Sequence, residues 1–296
     1  MKVLLTGREG QIGSQLARLL PGFCDCWAVD QEDFDLADPE AIEAALEQFR
    51  PALIINTAAY TNVDGAEEDC ERAFALNAKA PAAIAEWAAA NAAALVHYST
   101  DYVYDGSGDT PWAEGDEVGP INVYGESKLA GDEAIAATGA SHLILRTSWI
   151  YAAQGQNFLN TMLKLAADRP KISVVADQVG APTSAAMVAA VTVDILSQTR
   201  SGGIETFKQK GGIVHCVASG ETSWCGFAEA IFEGARSRGA ELEIDIVEPI
   251  ATADYPTPAA RPANSRLAME RLKQNFGIET PDWRDGLNHV LDEIYG

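Results

Sequence analysis

The stretch KVLLTGREGQIG, at residues 2–13, decides how this chain of 296 residues folds. It begins with a β-type run, Lys2–Thr6, and continues with Gly7, Gly10 and Gly13. The residues after Gly13 have the apolar periodicity of a helix. Glycines between a strand and a helix let the backbone turn tightly and approach a pyrophosphate at the helix N-terminus. The stretch therefore predicts a dinucleotide-binding turn, although its GxxGxxG spacing differs from the common GxGxxG.

The rest of the first half alternates strands and helices. We predict a helix over Pro39–Phe49 with Asp38 as its N-cap, because an aspartate there accepts hydrogen bonds from free backbone N–H groups. Further strands are predicted at 26–30, 52–56, 94–98 and 143–146, and further helices at 66–77 and 81–91. This alternation is typical of α/β proteins and predicts a Rossmann-like, doubly wound parallel sheet.

After Trp149 the alternation of strands and helices becomes less regular, and we therefore predict two domains. Residues 1–149 form an NAD(P)-binding Rossmann domain, and residues 150–296 form mainly a smaller α/β substrate-binding domain. In the second part, helices are predicted at 157–167, 187–198, 224–238, 267–276 and 282–294, and strands at 172–176, 213–218 and 242–247. The strand near 213–218 is expected to return to the first domain. The proline-rich stretch 249–264 is predicted to be irregular, and loops of this length are usually functional.

Charge and composition exclude several classes of partner. With 43 acidic and 21 basic side chains, the formal net charge is −22 and the pI is about 4.4. A field of that sign repels nucleic acid and anionic membrane surfaces. No apolar run reaches the ~18 residues of a membrane span, and the N-terminus lacks the pattern of a signal peptide. Five cysteines without a CxxC pair indicate a reduced, cytoplasmic protein rather than a zinc site.

An acidic residue follows the second predicted strand. Asp30 lies 17 residues after Gly13, where an acid usually accepts hydrogen bonds from the adenosine ribose. This position favours NADH. Arg8 stands inside the glycine turn and could bind a 2′-phosphate, so NADPH stays open.

Tyr124 and Lys128 stand four residues apart, which places a phenol and an ammonium on one face of a predicted helix. A neighbouring ammonium stabilises the phenolate and lowers the pKa of a tyrosine from its usual ~10. Such a tyrosine can donate a proton to a carbonyl oxygen as hydride reaches the carbon. Thr100, or Ser99, follows the fourth strand, where ligands of doubly wound sheets bind, and its hydroxyl would polarise the same carbonyl. Thr100, Tyr124 and Lys128 are the predicted catalytic set.

The glycine turn, the hydroxyl at a strand end and the Tyr124–Lys128 pair occur in an order that resembles the extended short-chain dehydrogenase/reductase superfamily. Longer segments resemble the dTDP-4-dehydrorhamnose reductase family and run nearly from end to end of the chain. They are GQIG at 10–13, NTAAYTNVD at 56–64, STDYVY at 99–104, PINVYGESK at 120–128, RTSW at 146–149, DQVGAPT at 177–183 and RPANS at 261–265.

The resemblance implies an activity and a set of site residues. The family reduces the 4-keto group of dTDP-4-dehydro-β-L-rhamnose with NADPH or NADH, and dTDP-L-rhamnose is used for bacterial envelope polysaccharides. Tyr124 is then the proton donor, Lys128 binds the nicotinamide ribose, and Thr100, Asp101 and Trp149 contact the sugar. The implied cofactor contacts are Gln11 and Ile12 at the pyrophosphate, Asp30 at the adenosine ribose, Asp35 and Leu36 at the adenine, and Ala59, Tyr60 and Thr61 along the cofactor.

The resemblance also implies further partners. Some members hold Mg²⁺ at a dimer contact through surface glutamates, but no residue of this sequence can be assigned to that role. The predicted helix at 66–77 and the helix that carries Tyr124 occupy places that often pair subunits in this superfamily. We therefore expect a homodimer.

Two other functions are alternatives. Another sugar-nucleotide reductase, epimerase or 4,6-dehydratase would share the fold and the Tyr124–Lys128 pair. A dehydratase typically needs an Asp-Glu pair after the threonine, and here Tyr102 follows Asp101. The second alternative is a non-catalytic, nucleotide-binding regulatory subunit. The presence of Thr100, Tyr124 and Lys128 favours an enzyme, because a binding protein need not keep them.

The net charge of −22 poses a problem, because the cofactor and a dTDP-sugar each carry a diphosphate. Backbone N–H groups of the glycine turn can bind the first without a cation. For the second, residues 256–275 hold four basic side chains and one acidic side chain. We predict that Arg261, with Arg266 as a second candidate, binds the diphosphate of the sugar nucleotide as the loop at 249–264 folds over it.

Overall fold

The computed structural model describes residues 1–202 and 205–296 and has an α/β fold. The strands are, in chain order, β1 (Lys2–Thr6), β2 (Asp25–Val29), β3 (Leu53–Asn56), β4 (Ala94–Thr100), β5 (Ser141–Thr147), β6 (Ile150–Tyr151), β7 (Lys171–Val175), β8 (Val179–Gly180), β9 (Thr183–Ser184), β10 (Gly212–His215), β11 (Thr222–Ser223) and β12 (Ile246–Ile250).

The α-helices are α1 (Gln11–Leu19), α2 (Pro39–Phe49), α3 (Val63–Glu68), α4 (Cys70–Phe74), α5 (Ala80–Ala90), α6 (Val123–Ala137), α7 (Phe158–Ala166), α8 (Ala185–Gly202), α9 (Glu205–Lys210), α10 (Trp224–Ser237), α11 (Glu270–Phe276) and α12 (Trp283–Tyr295). Short 3₁₀ turns lie at Leu20–Gly22, Asp101–Val103 and Thr252–Asp254, and a π turn lies at Ala75–Lys79.

Six strands form a parallel sheet in the order β2-β1-β3-β4-β5-β10. The predicted doubly wound parallel sheet is therefore confirmed. The strand order reverses between β1 and β3, and ligands of open α/β sheets bind at such a point, outside the carboxyl ends of the strands. β10, which covers the first part of the strand predicted at 213–218, pairs with β5 at the edge of this sheet.

Helices cover both faces of the sheet, which is why its strands are almost continuously apolar. Successive side chains of a strand point to opposite faces. Leu5 and Val96 belong to the core that includes side chains of α1 and α8, whereas Leu4 and Leu95 belong to the core that includes side chains of α2, α5 and α6. The sheet is thus a rigid base for the loops at its carboxyl edge.

The later part of the chain contains a separate hydrophobic core. Phe227 and Ile231 of α10 belong to one buried cluster with Leu159 of α7 and Leu291 of α12. The parallel pair of β7 and β12 contributes further apolar side chains to this cluster. By contrast, α8 and β10 come from the same part of the chain but pack with the parallel sheet.

Several predicted elements form with other bounds: the strand predicted at 213–218 ends at His215, and the helix predicted at 267–276 begins at Glu270. Two further differences have a visible cause. The strand predicted at 242–247 forms at Ile246–Ile250, because the N–H groups of Glu243 and Ile244 donate instead to the carbonyl of Ala166, at the end of α7. The helix predicted at 66–77 is divided at Asp69, whose side chain caps α4.

The predicted N-cap of α2 is confirmed, since Asp38 accepts the N–H groups of Glu40 and Ala41. Among the helices that the structure describes, none has the length and apolar character needed to cross a membrane.

Candidate active site

A cleft of about 690 Å³ opens at the carboxyl edge of the sheet, where the strand order reverses. The glycine turn, the ends of β2 and β4, the start of α6 and the loops after β3 and β5 form its walls. Most predicted site residues line it, namely Gly7, Gly10, Gln11, Ile12, Asp30, Asp35, Leu36, Ala59, Thr61, Thr100, Asp101, Tyr124, Lys128 and Trp149. Gly13, Tyr60 and Arg261 do not line it.

The glycine turn has the shape that a pyrophosphate requires. Gly7 has a φ of +75°, and a Cβ there would lie 2.8 Å from the backbone nitrogen of Ala58. A Cβ on Gly13 would overlap the carbonyl oxygen of Gly7, so this glycine lets α1 pack against the turn. Gly10 is the N-cap of α1 and makes no side-chain hydrogen bond. The first N–H groups of the helix therefore have no side-chain cap and can bind an anion, and the residues present fit a dinucleotide.

Asp30 is fixed at the end of the cleft beyond β2. Its carboxylate accepts hydrogen bonds from the backbone N–H groups of Glu9 and Gln31, each at 2.8 Å. Arg8 turns toward Asp33, with Nη1 2.9 Å from Oδ2. Asp33 therefore neutralises the cation that the sequence suggested for a 2′-phosphate.

Asp35 is held by a residue that sequence reasoning missed. Arg72 also lines the cleft, and its two terminal nitrogens each lie 3.2 Å from an oxygen of Asp35. The N–H of Ala37, and then Arg72, hold the pKa of Asp35 below its ordinary value. Arg72 carries no local motif that points to Asp35, because the two residues meet only through the fold.

Tyr124 lies in the first turn of α6, which Asn122 caps. The Asn122 side chain accepts the N–H of Gly125 at 2.8 Å and donates to the carbonyl of Ala260 at 2.8 Å. The side chain of Thr100 lies beside the phenol and lowers its pKa as a hydrogen-bonding neighbour. Burial raises the pKa of Tyr124 above its ordinary value, and the hydrogen bond with Thr100 opposes this only in part. The phenol therefore keeps its proton at neutral pH.

Lys128 lies one turn further along α6 and is 1% exposed. Its Nζ donates to the carbonyl oxygen of Tyr98 at 2.6 Å and lies 3.1 Å from Nε2 of His97. Burial lowers the pKa of Lys128 to about 8, although the carboxylate of Asp132 opposes this change. The ammonium is thus held against β4, on the inner wall of the cleft.

The prediction that Lys128 depresses the pKa of Tyr124 is wrong for this structure. Burial is the largest influence on the phenol and raises its pKa. The carboxylates of Asp101 and Asp132 raise it further. Sequence spacing alone could not show how deeply the phenol is buried.

Asp101 lies directly after Thr100 and is 2% exposed. The Thr100 hydroxyl donates to its Oδ1 at 3.1 Å. Burial raises the pKa of Asp101 to about 7, against the opposing hydrogen bonds of Ser265 and Thr100. Near neutral pH, Asp101 can therefore be present either as the neutral acid or as the carboxylate.

Sequence reasoning missed Trp224, which stacks on Trp149 in the wall of the cleft. The two indole rings have centroids 3.6 Å apart and planes 13° apart. Trp149 adopts a φ of +50°, which is unfavourable for a bulky residue. Nε1 of Trp224 donates to Oε1 of Gln178 at 3.1 Å. The two tryptophans share no sequence motif, so only the packing of α10 against the loop after β5 brings them together.

Arg261 lies next to the cleft. Its Nη2 is 2.8 Å from Oδ2 of Asp64. It also influences Tyr102, a cleft residue whose pKa is raised mainly by burial and lowered in part by Arg261. Arg266 instead forms an ion pair with the exposed Glu221, with a separation of 2.7 Å. Of the two predicted arginines, Arg261 is the one whose charge reaches a cleft residue in this structure.

Tyr60 contributes to the site through its backbone. Its N–H donates to Oδ1 of Asn77 at 2.8 Å, and its carbonyl accepts from Nδ2 of Asn77 at 3.0 Å. The same Nδ2 lies 2.9 Å from the Ser127 hydroxyl. The loop after β3 is thereby fixed to α6, which carries Tyr124 and Lys128.

Within residues 1–202 and 205–296, no three His, Cys, Asp or Glu side chains are grouped so that they could hold a metal ion. The expectation of Mg²⁺ thus gains no support from the described residues.

Comparisons with known proteins agree over the whole length. The family model described as RmlD substrate binding domain matches residues 1–295. A curated dTDP-4-dehydrorhamnose reductase of Shigella flexneri is 42% identical over 299 residues, which covers 100% of this chain and 98% of that protein. The crystal structure of a dTDP-4-dehydrorhamnose reductase from Clostridium acetobutylicum matches with a TM-score of 0.91 at 34% identity, covering 99% of each chain. The dTDP-4-dehydrorhamnose reductase of Bacillus anthracis, solved with NADP, has a TM-score of 0.89 at 34% identity and the same coverage.

Proposed function

Since the chain belongs to the RmlD family and curated relatives such as that of Shigella flexneri are dTDP-4-dehydrorhamnose reductases, we propose that it is an NAD(P)H-dependent oxidoreductase that reduces the 4-keto group of dTDP-4-dehydro-β-L-rhamnose to give dTDP-L-rhamnose. The observation that carries this proposal is the convergence of Thr100, Tyr124 and Lys128 on the cleft that also contains the glycine turn. A dinucleotide site and a proton donor are the two parts that carbonyl reduction needs.

The bound cofactor supplies a hydride to the carbonyl carbon. Tyr124 donates the proton to the carbonyl oxygen, and its raised pKa keeps that proton in place until negative charge develops there. The Thr100 hydroxyl lies beside the phenol, and its proton, which is donated to Asp101 in this structure, would turn to the same carbonyl oxygen when the substrate binds. Lys128, held by the carbonyl of Tyr98, presents its positive charge to the nicotinamide ribose and favours the oxyanion that forms.

The adenosine end of the cleft favours NADH over NADPH. The fixed carboxylate of Asp30 suits ribose hydroxyls and repels a 2′-phosphate. Arg8 is engaged by Asp33 and must leave that ion pair before it can bind a phosphate. We therefore expect NADPH to be a weaker cofactor, although the relative from Bacillus anthracis was solved with NADP.

The substrate would enter between the Rossmann domain of residues 1–149 and the later part of the chain. We assign residues 150–296, apart from α8 and β10, to a substrate-binding domain, which has its own core. Asp101 and the Trp149–Trp224 stack form the wall against the sugar. Arg261 supplies positive charge for the diphosphate, which would replace Asp64 as its partner.

Two alternatives predict different chemistry. A 4,6-dehydratase is disfavoured because Tyr102 takes the place of the second carboxylate after Thr100. A regulatory subunit would bind the cofactor without turning it over.

The cytoplasmic location, the homodimer and the exclusion of nucleic acid stay predictions from the sequence.

A spectrophotometric assay tests the proposal. The protein is mixed with dTDP-4-dehydrorhamnose and either reduced cofactor, and the absorbance of the reduced nicotinamide is followed. A reductase oxidises the cofactor only when the sugar nucleotide is present. A regulatory subunit leaves the absorbance unchanged in every mixture.

A further inference from the structure

A row of three polar side chains crosses the apolar interior of the sheet behind Lys128. Thr6 of β1 pairs in register with Asn56 of β3, and Asn56 pairs in register with His97 of β4. The next position in the same register, on β5, is Ile144. The polar row therefore spans the three central strands and ends against an apolar side chain.

This row is unusual in its surroundings. Two residues earlier on the same strands, and so on the same face, stand Leu4, Ile54 and Leu95, which are all buried in the core against α2, α5 and α6. Apolar side chains would therefore fit this layer of the sheet. Buried polar groups cost free energy unless they are hydrogen-bonded. Polar side chains at these positions therefore indicate a function other than packing.

The row is joined by hydrogen bonds from end to end. Oγ1 of Thr6 lies 2.7 Å from Oδ1 of Asn56, and Nδ2 of Asn56 lies 3.2 Å from Nδ1 of His97. Nε2 of His97 then lies 3.1 Å from Nζ of Lys128. All four side chains are at most 1% exposed. The row thus leads from the strand before the glycine turn to the predicted catalytic lysine.

The geometry fixes the direction in which the ammonium can act. A charged lysine has three N–H donors. One N–H is taken by the carbonyl of Tyr98 at 2.6 Å, and a second faces His97. The third is left for the cleft, which Lys128 lines.

We propose that His97, held in place by Asn56 and Thr6, is a positioning residue for Lys128. It accepts one N–H of the ammonium, directs the free N–H into the cleft and favours the charged form of the lysine. The inference rests on the proposed function only for the task of that free N–H, which is to bind the nicotinamide ribose during reduction.

A neutral imidazole can serve both forms of the lysine. Burial, and then the charge of Lys128, hold the pKa of His97 well below its ordinary value, so the ring is neutral. In the orientation described above, Nδ1 accepts from the Asn56 amide nitrogen and Nε2 carries the proton. When the lysine is charged, the Asn56 amide turns over, so that Nε2 accepts, Nδ1–H donates to the amide oxygen and the amide nitrogen donates to Oγ1 of Thr6. When the lysine is neutral, Nε2–H donates to it and Nδ1 accepts from the amide nitrogen. Because hydrogen bonds to a charged group are roughly twice as strong, the row favours the ammonium.

Other charged groups near Lys128 are separate from this row. On α6, Asp132 faces the lysine and is paired with Arg146 of β5 at 3.0 Å. The further hydrogen bonds of that pair run to Ser99 and Tyr104. Tyr124 shares α6 with the lysine, and its nearest ionisable neighbours in the loop after β4 are Asp101 and Tyr102. A substitution at His97 therefore leaves these groups in place.

Three variants test the proposal. His97→Leu removes the acceptor, and His97→Gln keeps an amide oxygen that can replace Nε2. The matched control is His215→Leu, because His215 is also 0% exposed but hydrogen bonds to Tyr104 and does not line the cleft. The pKa of Lys128 is measured by NMR titration of protein with ¹³Cε-labelled lysine, with the signal assigned through Lys128→Arg. The alkaline limb of the kcat profile is measured alongside.

We expect His97→Leu to lower the pKa of Lys128 by about one unit, since a hydrogen bond to the charged form is lost. The alkaline limb of kcat should move down by the same amount. His97→Gln should restore most of the shift, and His215→Leu should lower the Tm without moving the titration. An unchanged titration in folded His97→Leu overturns the proposal. If His97→Leu does not fold, His97→Asn replaces it, because its shorter amide cannot reach Nζ. The titration needs no substrate, so absent turnover of the wild type would refute only the proposed reductase activity.

Discussion

Arg8 and Asp33 form an ion pair at the adenosine end of the cleft, with Nη1 2.9 Å from Oδ2. Asp33 also accepts the backbone N–H of Asp30 at 2.8 Å, so the same carboxylate restrains the cation and orders the loop after β2. Both side chains are about one-third exposed, with values of 33% and 35%. A 2′-phosphate can therefore compete for Arg8, but the ion pair is strong enough to favour NADH over NADPH.

Asp33→Ala should shift the cofactor preference toward NADPH by about tenfold in kcat/KM, which corresponds to ~1.4 kcal/mol. The freed guanidinium of Arg8 can then bind the 2′-phosphate. The measurement is kcat/KM for both cofactors at fixed substrate. Asp33→Ala combined with Arg8→Ala is the control and should lose the gain. An unchanged ratio in the single variant would show that Arg8 takes no part in the choice.

Tyr124→Phe should lower kcat by about 10²–10⁴-fold, the range expected when a general acid is removed. The Kd of NADH should stay within about twofold, because the phenol oxygen contributes little to cofactor binding. Thr100→Val should lower kcat by a smaller factor, and Thr100→Ser should recover most of it. Steady-state kinetics with fluorescence titration of NADH separate the two effects. A Tyr124→Phe variant with normal kcat would refute the assigned proton donor.

Arg261→Ala should raise the KM for the sugar nucleotide by about tenfold or more while the KM for NADH changes little, because a charge-assisted hydrogen bond to a diphosphate contributes ~1.5–3 kcal/mol. Arg266→Ala is the matched control, since Arg266 comes from the same basic stretch but pairs with Glu221. It should leave both constants near those of the wild type. Equal effects of the two variants would mean that Arg261 acts only through the net charge.

Asp101 should make the folded protein less stable as the pH rises from 4 to 7. Burial raises its pKa from 3.8 to about 7, so between these values the folded state holds a proton that the unfolded state has released. The stability from this proton is fully present below the unfolded pKa and is lost as the pH approaches 7. Asp101→Asn removes this dependence.

The difference in unfolding free energy between Asp101→Asn and the wild type should therefore move in favour of the variant from pH 4 to pH 7, by at most ~4 kcal/mol. Urea unfolding at several pH values measures the difference. Asp109→Asn, a substitution of an exposed aspartate, is the control and should show no such trend. A constant difference for Asp101→Asn would mean that the side chain ionises normally in the folded state.

The sequence predicted those parts of the site that depend only on residues close together along the chain. The glycine turn needs only a strand, a tight bend and a helix in succession, and Lys128 follows Tyr124 by one helical turn. Local spacing also placed Asp38 at the start of α2.

The parts that the sequence did not predict depend on contacts between distant elements. Trp224, Arg72 and His97 reach the site only through packing, and no motif connects them to Trp149, Asp35 or Lys128. The pKa of Tyr124 was also not predicted, because burial by distant elements, rather than the nearby lysine, decides that this pKa is raised. Ion pairs such as that of Arg266 with Glu221 also cannot be predicted from a count of charges.

The most direct test of the reductase activity is the transfer of an isotope label. The protein is incubated with dTDP-4-dehydrorhamnose and a reduced cofactor that carries deuterium at both hydrogen positions of the nicotinamide C4, and the isolated sugar nucleotide is examined by NMR and mass spectrometry. We predict one deuterium at C4 of the sugar, in dTDP-L-rhamnose, with matching loss of the reduced cofactor. A sugar nucleotide recovered without deuterium, in a mixture where the cofactor is bound but not oxidised, would contradict the account.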